Sequence, residues 1–309
     1  MCTDTESDKR GEATPLSPTL ALQLAAPHTW PASIMPVLIA VGLAATTAGS
    51  FSPAMAVLLL VICILMQSSV NTFNDYFDFV KGADSADDNV EITDAVLIYN
   101  AVRPRSVLWL AIGFLVAAFL LGLIVIYRAG PIPLIIALIG AVAIVAYSGG
   151  KTPLSYLPIG EIVSGLVMGG LIPLACYQVL AGSLNPIVLV WALPTIIGVG
   201  LIMMTNNTCD IEKDEEAKRR TLPVLLGRRR ARSLYHGLMI AWIASIVLIV
   251  RLWFPAGFAI MVFMVLAVYP LAAALWKNPL APASRIGAMA QISSLNVVLG
   301  AFYAAALML

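Results

Sequence analysis

Residues 106–148 form a long apolar run, SVLWLAIGFLVAAFLLGLIVIYRAGPIPLIIALIGAVAIVAYS, in which Arg128 is the only charged residue. A membrane-spanning helix needs about 20 mostly apolar residues, so this stretch predicts two spans that meet near Arg128. A soluble domain carries about 25% charged residues. The whole chain of 309 residues has 11% charged and 60% hydrophobic residues. The composition therefore predicts an integral membrane protein and excludes a water-soluble fold.

Similar apolar runs recur along the chain and predict an all-α, polytopic membrane protein with about nine transmembrane helices. The expected spans are residues 32–50, 54–72, 106–127, 130–148, 160–182, 186–206, 235–254, 255–275 and 286–308. The polar residues 1–24 predict a disordered cytosolic tail, and residues 25–309 predict the membrane domain. A formal net charge of +1 gives no reason to expect nucleic acid as a partner.

The distribution of basic residues predicts the orientation. With the N-terminus inside, only Arg128 and Arg251 fall on the outer side, and every other lysine and arginine falls on the inner side. The positive-inside rule therefore predicts a multi-pass protein of the cell membrane with a cytosolic N-terminus and an outer C-terminus.

Two acidic stretches leave the predicted second and sixth helices, NTFNDYFDFVKGADSADD (71–88) and NNTCDIEKDEEAKRRTLPVLLGRRR (206–230). Each begins with an asparagine, an aspartate four positions later and a further aspartate: Asn71, Asp75 and Asp78 in the first, and Asn206, Asp210 and Asp214 in the second. The repetition predicts two quasi-repeated halves, with motifs at 71–84 and 206–214.

Residues four and seven apart share one helix face, so the aspartates of each motif would repel one another unless a cation lies between them. Oxygen ligands favour Mg²⁺, which predicts a metal site at Asp75, Asp78, Asp210 and Asp214. Two such clusters facing each other across a cavity could hold two ions that bridge a diphosphate. Nearby lysines and arginines would neutralise its remaining charge.

The first motif, NDYFDFVKGAD (74–84), resembles the first aspartate-rich motif of the UbiA-type prenyltransferase superfamily. Its form is typical of 1,4-dihydroxy-2-naphthoate polyprenyltransferases. The segment NNTCDIEKDEEAKRRTLPVLLGRR (206–229) resembles the second motif of that family. With further matches at 25–38 and 147–161, the resemblance covers roughly residues 25–235.

The resemblance implies a nine-helix bundle around a central cavity and Mg²⁺-dependent transfer of a polyprenyl group from polyprenyl diphosphate to an aromatic acceptor. The expected acceptor is 1,4-dihydroxy-2-naphthoate, in menaquinone biosynthesis. The expected catalytic residues are Asp75, Asp210 and Lys151. The residues expected to bind the diphosphate and its metal are Asn71, Asn74, Asn207, Lys213 and Arg220.

The chain departs from the family pattern at two positions. Cys209 stands where the family has an arginine before the second-motif aspartate, and Lys151 stands where naphthoate-type sequences commonly have proline. We therefore hypothesise that Lys151 supplies the charge that Cys209 does not. The alternatives are a UbiA-superfamily enzyme with another aromatic or lipid acceptor, and a cation-coupled secondary transporter, although transporters place their ion sites near the bilayer midplane.

Three further features have structural interpretations. Gly165 and Gly169 are spaced for close helix packing. Glu161 opens a predicted helix, where a carboxylate complements the helix dipole. The basic run 228–232 is expected to contact anionic lipid headgroups, so that membrane lipids are among the expected partners.

The predicted orientation can be tested with a reporter fused after Leu309. An odd number of spans with a cytosolic N-terminus places this reporter outside the cytosol. Protease protection or a compartment-sensitive reporter measures the result, and a cytosolic C-terminus would contradict the architecture because it requires an even number of spans.

Overall fold

The computed structural model describes residues 15–49, 51–81, 96–100, 102–148 and 153–309. The regular structure of these residues is helical, without a strand, which confirms the predicted all-α class. The helices, in chain order, are α1 (Pro18–Leu24), α2 (Pro31–Thr47), α3 (Pro53–Lys81), α4 (Val96–Tyr99), α5 (Pro104–Ala129), α6 (Ile132–Ser148), α7 (Gly160–Ala181), α8 (Val188–Trp191), α9 (Leu193–Cys209), α10 (Ile211–Glu216), α11 (Leu222–Trp253), α12 (Ile260–Lys277) and α13 (Arg285–Leu307).

Six helical segments among the described residues have the length and apolar composition to cross a membrane. They are α3, α5, α7, α11, and the segments Pro255–Lys277 and Pro282–Leu307 that contain α12 and α13. The count becomes seven if the helices on either side of Trp30 form one span. Helices α2, α6 and α9 have 17 residues each, at the lower end of the roughly 17–25 residues that a span needs. The nine predicted spans all overlap helices, but their number is not confirmed.

Large apolar side chains lie on the outer surface of these helices. Leu120 is 57% exposed, and Val142 and Leu266 are each 70% exposed. In water, extended apolar surface of this kind drives association, whereas in a bilayer it faces hydrocarbon of the same polarity. The chain is a multi-pass membrane protein.

The chain forms two compact units. Among the described residues, the smaller unit comprises 15–28, 65–81, 96–100 and 102–118, and the larger unit comprises 29–49, 51–64, 119–148 and 153–309. The core of the smaller unit contains Leu24, Val96, Leu97, Val102 and Val107. The core of the larger unit contains, among its largest fully buried side chains, Tyr235, Tyr303, Met204, Met264 and Leu43. The quasi-repeat of two halves stays a prediction.

Helix α1 corrects the prediction of a disordered tail through residue 24, which is wrong for residues 18–24. The Ser17 hydroxyl accepts a hydrogen bond from the Leu20 N–H at 3.2 Å, and Pro18 occupies the first helical position. Both residues favour a helix start. Leu24 is then buried in the core of the smaller unit. Residues 1–14 of the predicted tail lie outside the described residues.

The two glycines of α7 bring this helix close to α9, as their spacing predicts. A Cβ on Gly165 would lie 2.5 Å from the Ile196 carbonyl oxygen, and one on Gly169 would lie 2.5 Å from the Thr195 carbonyl oxygen. The Thr195 hydroxyl also donates a hydrogen bond to the Gly169 carbonyl at 2.8 Å. The interpretation of these glycines as packing residues is confirmed, and the contact fixes α7 against the helix that ends in the second acidic motif.

This contact predicts that Gly169→Ala destabilises the protein. The added methyl group would overlap backbone atoms of α9, and overpacking of this kind costs about 1–3 kcal/mol. The midpoint of thermal unfolding in detergent should therefore fall. Gly122→Ala is the matched control, because a Cβ at Gly122 in α5 meets no atom within 4 Å. If both variants melt like the unaltered protein, the close α7–α9 contact is contradicted.

Candidate active site

The first-motif aspartate, Asp75, lies on α3 in the smaller unit and is buried. Its Oδ2 accepts a hydrogen bond from the Val96 N–H at 2.7 Å, and its Oδ1 accepts one from the Leu97 N–H at 3.2 Å. These N–H groups open α4, and the first N–H groups of a helix have no partner within the helix. Asp75 therefore holds the chain that follows the first motif, a contact that the sequence did not predict.

Asn71, one helical turn earlier on α3, also binds backbone. Its amide nitrogen donates to the Ala25 carbonyl at 3.1 Å, and the neighbouring Thr72 hydroxyl donates to the Leu24 carbonyl at 3.1 Å. Both carbonyls lie at the end of α1, where helical carbonyls have no partner within the helix. The start of the first motif thus anchors α1 to α3.

The structure gives less information on three further predicted residues, Asn74, Asp78 and Lys151. Asn74 is exposed on α3. The backbone of Asp78 is helical, but its side chain lies outside the described part of the structure, as does the whole of Lys151. That the first motif faces the second across a cavity stays a prediction.

The second motif lies in the larger unit, where α9 ends at Cys209 and α10 begins at Ile211. Asp210 joins the two helices, so the single helical face expected for this motif is interrupted there. The Arg285 Nε donates to the Asp210 carboxylate at 3.1 Å, and its Nη2 donates to the Asn206 side-chain oxygen at 2.7 Å. One guanidinium thus binds the asparagine and the first aspartate of the motif.

Asp214 is the more deeply buried aspartate, with 1% of its surface exposed. Its Oδ1 accepts a hydrogen bond from Arg219 Nη1 at 3.0 Å, and its Oδ2 accepts one from the Thr221 hydroxyl at 3.1 Å. The Arg219 guanidinium also lies 4.9 Å from the centre of the Tyr156 ring. Both oxygens of Asp214 are therefore satisfied by residues that follow it in the chain.

Burial raises the pKa of both Asp210 and Asp214 above the ordinary value of an aspartate. Arg285 lowers the pKa of Asp210 and Arg219 lowers that of Asp214, but neither offsets burial fully. Lys213 lowers both pKa values as well. A further positive charge beside these carboxylates would favour their ionised forms. The electrostatics of the second motif therefore suit a bound cation.

Asn207 and Arg220, two further predicted residues, have other partners. Asn207 is buried, and its amide nitrogen donates to Glu161 Oε1 at 2.9 Å. Arg220 is exposed, and its backbone N–H donates to the Tyr156 carbonyl at 2.8 Å. In the described part of the chain, the structure thus bonds Asn207 to Glu161 on α7 and leaves the Arg220 side chain exposed.

Sequence reasoning missed the partners of the two aspartates. Arg285 lies far from Asp210 in the chain, and the one available signal was its position at the inner end of the last predicted span. Arg219 and Thr221 lie within the quoted second motif, so a helix or turn contact with Asp214 was open to prediction. Glu161 lies in the first turn of α7, as its interpretation as a helix-dipole residue requires, but its hydrogen bond with Asn207 was not predicted.

The donor set of the second motif fits a divalent cation in chemistry. Asp210, Asp214, Asn206 and Asn207 offer hard oxygen atoms, and Mg²⁺ is usually held by one or two carboxylates together with substrate phosphates and water. No group of three His, Cys, Asp or Glu side chains in the described ranges is arranged to hold a metal ion unaided. Such a site would therefore use one or both carboxylates of this motif and ligands from the substrate.

Comparisons with known proteins identify the family to which this chain belongs. Residues 33–306 match the model of the UbiA prenyltransferase family. Over 213 residues the chain is 29% identical to the 1,4-dihydroxy-2-naphthoate octaprenyltransferase of Bacillus subtilis (strain 168), a match that covers 68% of this chain and 66% of that protein. Over 217 residues it is 27% identical to human UbiA prenyltransferase domain-containing protein 1, covering 69% of this chain and 62% of that protein. The matched region thus spans slightly less than two thirds of the length of these relatives.

Solved structures share the fold. A UbiA homologue from Archaeoglobus fulgidus bound to DMAPP and Mg²⁺ has a TM-score of 0.63 and 17% identity, covering 92% of this chain and 98% of that chain. The apo structure of a UbiA homologue from Aeropyrum pernix K1 has a TM-score of 0.61 and 16% identity, covering 89% and 96%. The family model, the curated relatives and the fold agree, and the chain belongs to the UbiA prenyltransferase family.

Proposed function

We propose that this protein is an intramembrane prenyltransferase that moves a polyprenyl group from polyprenyl diphosphate to an aromatic acceptor. The observation that carries the proposal is the second motif, in which two desolvated carboxylates lie among Arg285, Arg219 and Lys213 at the end of an apolar helix. Family membership and the name of the Bacillus subtilis relative support the same reaction class.

In the proposed reaction, the bond between the allylic carbon and the diphosphate oxygen breaks, and that carbon forms a bond with an electron-rich ring carbon. Diphosphate leaves, and the ring regains its aromaticity by losing the group on the attacked carbon, which is a proton where that carbon bears hydrogen and CO₂ where it bears a carboxylate. Mg²⁺, when bound, supplies positive charge to the leaving diphosphate. Asp75 and Asp78 of the first motif, and Asp210 and Asp214 of the second motif, are the proposed ligands of the metal ions.

The described residues of the second motif have defined roles in this proposal. Arg285 and Thr221 hold Asp210 and Asp214 in fixed orientations. Arg219 and Lys213 add positive charge around them, which stabilises the charge that develops on diphosphate as the carbon–oxygen bond breaks. The surrounding apolar helices exclude water, which would otherwise trap the allylic cation.

The acceptor we propose is 1,4-dihydroxy-2-naphthoate, and the reaction would then belong to menaquinone biosynthesis. Support comes from the form of the first motif, NDYFDFVKGAD at 74–84, and from the relative that carries this activity in its name. Another aromatic or lipid acceptor is the alternative within the family. A panel of labelled acceptors, supplied with polyprenyl diphosphate and purified protein, distinguishes them by the product that forms.

The site is proposed to lie on the cytosolic side of the cell membrane. Both motifs lie at helix ends that are followed by most of the basic residues of the chain, and the positive-inside rule assigns those ends to the cytosol. The basic run 228–232 is proposed to contact anionic headgroups of the same leaflet. An ion site of a secondary transporter would lie near the bilayer midplane, so the position of the motifs favours diphosphate binding.

The first functional prediction concerns the motif aspartates. Asp75→Asn and Asp210→Asn keep the side-chain volume and remove one negative charge, so a proposed Mg²⁺ ligand is weakened. Loss of one electrostatic stabiliser in a dry site costs about 10²–10³ in rate, and turnover should fall by at least that factor while the helical content is retained. Turnover is measured as labelled prenyl product, and helicity by circular dichroism.

Glu212→Gln is the matched control for these variants. It removes a carboxylate charge between the two motif aspartates in sequence, but the Glu212 side chain is exposed and bonded to Arg228. Its turnover should stay at the level of the unaltered protein. Unaltered turnover of both aspartate variants would refute the proposed metal site.

The second functional prediction concerns Lys151 and the missing arginine at Cys209. Cys209 is buried in the apolar core of the larger unit, and Arg285 supplies a guanidinium beside Asp210. Lys151 is proposed to add a charge for the diphosphate, since a lysine can replace charge without bidentate geometry. Lys151→Ala should therefore raise the KM for polyprenyl diphosphate and slow turnover.

Steady-state kinetics with varied polyprenyl diphosphate measure this effect. Lys277→Ala is the control, because Lys277 is another basic residue of the predicted inner side, at the end of α12. If Lys151→Ala leaves the diphosphate dependence unchanged, Lys151 is an ordinary positive-inside residue.

A further inference from the structure

Glu161, near the start of α7, is a buried carboxylate to which the proposed reaction assigns no role. It is 5% exposed, its Oε1 accepts the 2.9 Å hydrogen bond from Asn207, and its Oε2 is buried without a hydrogen-bond partner among the described residues. Burial of an unsatisfied carboxylate oxygen costs folding free energy. Fold stability therefore does not account for a carboxylate at this position.

The hydrogen bond fixes the orientation of the Asn207 side chain. An ionised carboxylate accepts hydrogen bonds and cannot donate them, so Glu161 requires the NH₂ group of Asn207 to face it. The carbonyl oxygen of Asn207 must then lie on the other arm of the planar amide. This oxygen is a ligand type that Mg²⁺ prefers.

The position of Asn207 around α9 places it beside the motif aspartate. The Asp210 N–H donates to the Asn206 carbonyl at 3.0 Å, so the backbone of Asp210 closes the last turn of α9. At about 100° per residue, its Cα lies about 40° from Asn206 and about 60° from Asn207 around the helix axis. Arg285 binds the Asn206 edge of this face, and Glu161 binds the Asn207 edge. Asp210 thus lies between two asparagines, each of which has its own fixed partner.

The α7–α9 contact makes the short hydrogen bond possible. A Cβ on Gly200 would lie 3.4 Å from the Glu161 carbonyl oxygen, and the Gly165 contact one turn further along α7 is closer still. The backbones of the two helices therefore hold Glu161 at a fixed distance from α9. A carboxylate in the first turn of a helix interacts favourably with the helix dipole whichever residue it binds, so the dipole does not explain the hydrogen bond to Asn207.

We infer that Glu161 is a positioning residue of the diphosphate–metal site, which holds the Asn207 amide with its carbonyl oxygen turned toward the side of Asp210. The inference rests on the proposed function and adds to it a residue on a different helix. Partners that orient metal ligands in this way typically change metal affinity by about 10–100-fold when they are removed.

The test is Mn²⁺ binding to the purified full-length protein in the presence of a non-reactive prenyl thiodiphosphate, followed by electron paramagnetic resonance. Glu161→Gln introduces a side chain that both donates and accepts, so Asn207 is no longer held in one orientation. We expect Mn²⁺ affinity to fall by about 10–100-fold. Glu212→Gln, which removes an exposed carboxylate charge near the motif, should bind Mn²⁺ like the unaltered protein.

A second background separates positioning from a structural role. In Asn207→Asp, two carboxylates face each other and Mn²⁺ binding should weaken. Adding Glu161→Gln gives the new carboxylate a donor, so binding in the double variant should be tighter than in Asn207→Asp alone. Glu161→Gln is therefore expected to weaken Mn²⁺ binding in the otherwise unaltered protein and to strengthen it in the Asn207→Asp background. A purely structural role of Glu161 would weaken Mn²⁺ binding in both. The measurement in the Asn207→Asp background tests the inference even if the single Glu161→Gln variant does not fold.

The outcomes are distinguishable. If the unaltered protein binds no Mn²⁺ with the thiodiphosphate, both the proposed function and this inference fail. If it binds Mn²⁺ and Glu161→Gln binds equally well, only the inference is overturned. The inference is equally overturned if Glu161→Gln weakens or leaves unchanged the binding in the Asn207→Asp background.

Discussion

The second motif depends on one constraint: a carboxylate that leaves water must find positive charge or hydrogen-bond donors. Asp210 meets this requirement with Arg285, and Asp214 meets it with Arg219 and Thr221. Even so, burial keeps the pKa of both aspartates raised, so the partners compensate only in part. Removing water from charged groups is what makes them strong electrostatic elements, because a desolvated charge acts on a bound ion with little screening. The same feature that makes the motif costly to fold suits it to bind a cation and a diphosphate.

The membrane explains why the scaffold around the motif can be built from apolar helices. Since lipid and protein are equally apolar, small residues and close backbone contact hold the helices together. Gly165 and Gly169 supply this contact between α7 and α9, and the same pair of helices carries the hydrogen bond between Glu161 and Asn207. The glycines that let α7 and α9 pack closely therefore also set the distance between Glu161 and Asn207. Helix packing and site geometry depend on the same contact in this protein.

Local features of the fold followed from the sequence, and tertiary ones did not. The apolar runs predicted the helices, and the spacing of Gly165 and Gly169 predicted a packing contact. The helix at residues 18–24 was missed because the polar residues before it suggested a disordered tail, although Ser17 and Pro18 are a helix start signal. Three helices have 17 residues each, which is close to the minimum length of a membrane span. Length alone therefore does not decide whether these three helices cross the bilayer.

In the candidate site, too, local features followed from the sequence and tertiary contacts did not. The aspartates were identified from repeated spacing, but the Arg285 contact joins residues from different helices, which no local pattern encodes. Glu161 was assigned to a helix dipole because a single sequence does not show that Asn207 faces it. Asp78 and Lys151 stay predictions, because the Asp78 side chain and the whole of Lys151 lie outside the described part of the chain.

The most direct measurement is transfer of label from polyprenyl diphosphate to 1,4-dihydroxy-2-naphthoate by the purified protein, with Mg²⁺ present or chelated. The proposed function predicts a prenylated aromatic product and released diphosphate with Mg²⁺, and neither after chelation. If folded protein with Mg²⁺ leaves polyprenyl diphosphate intact and leaves every acceptor of an aromatic and lipid panel unmodified, the proposed function is contradicted.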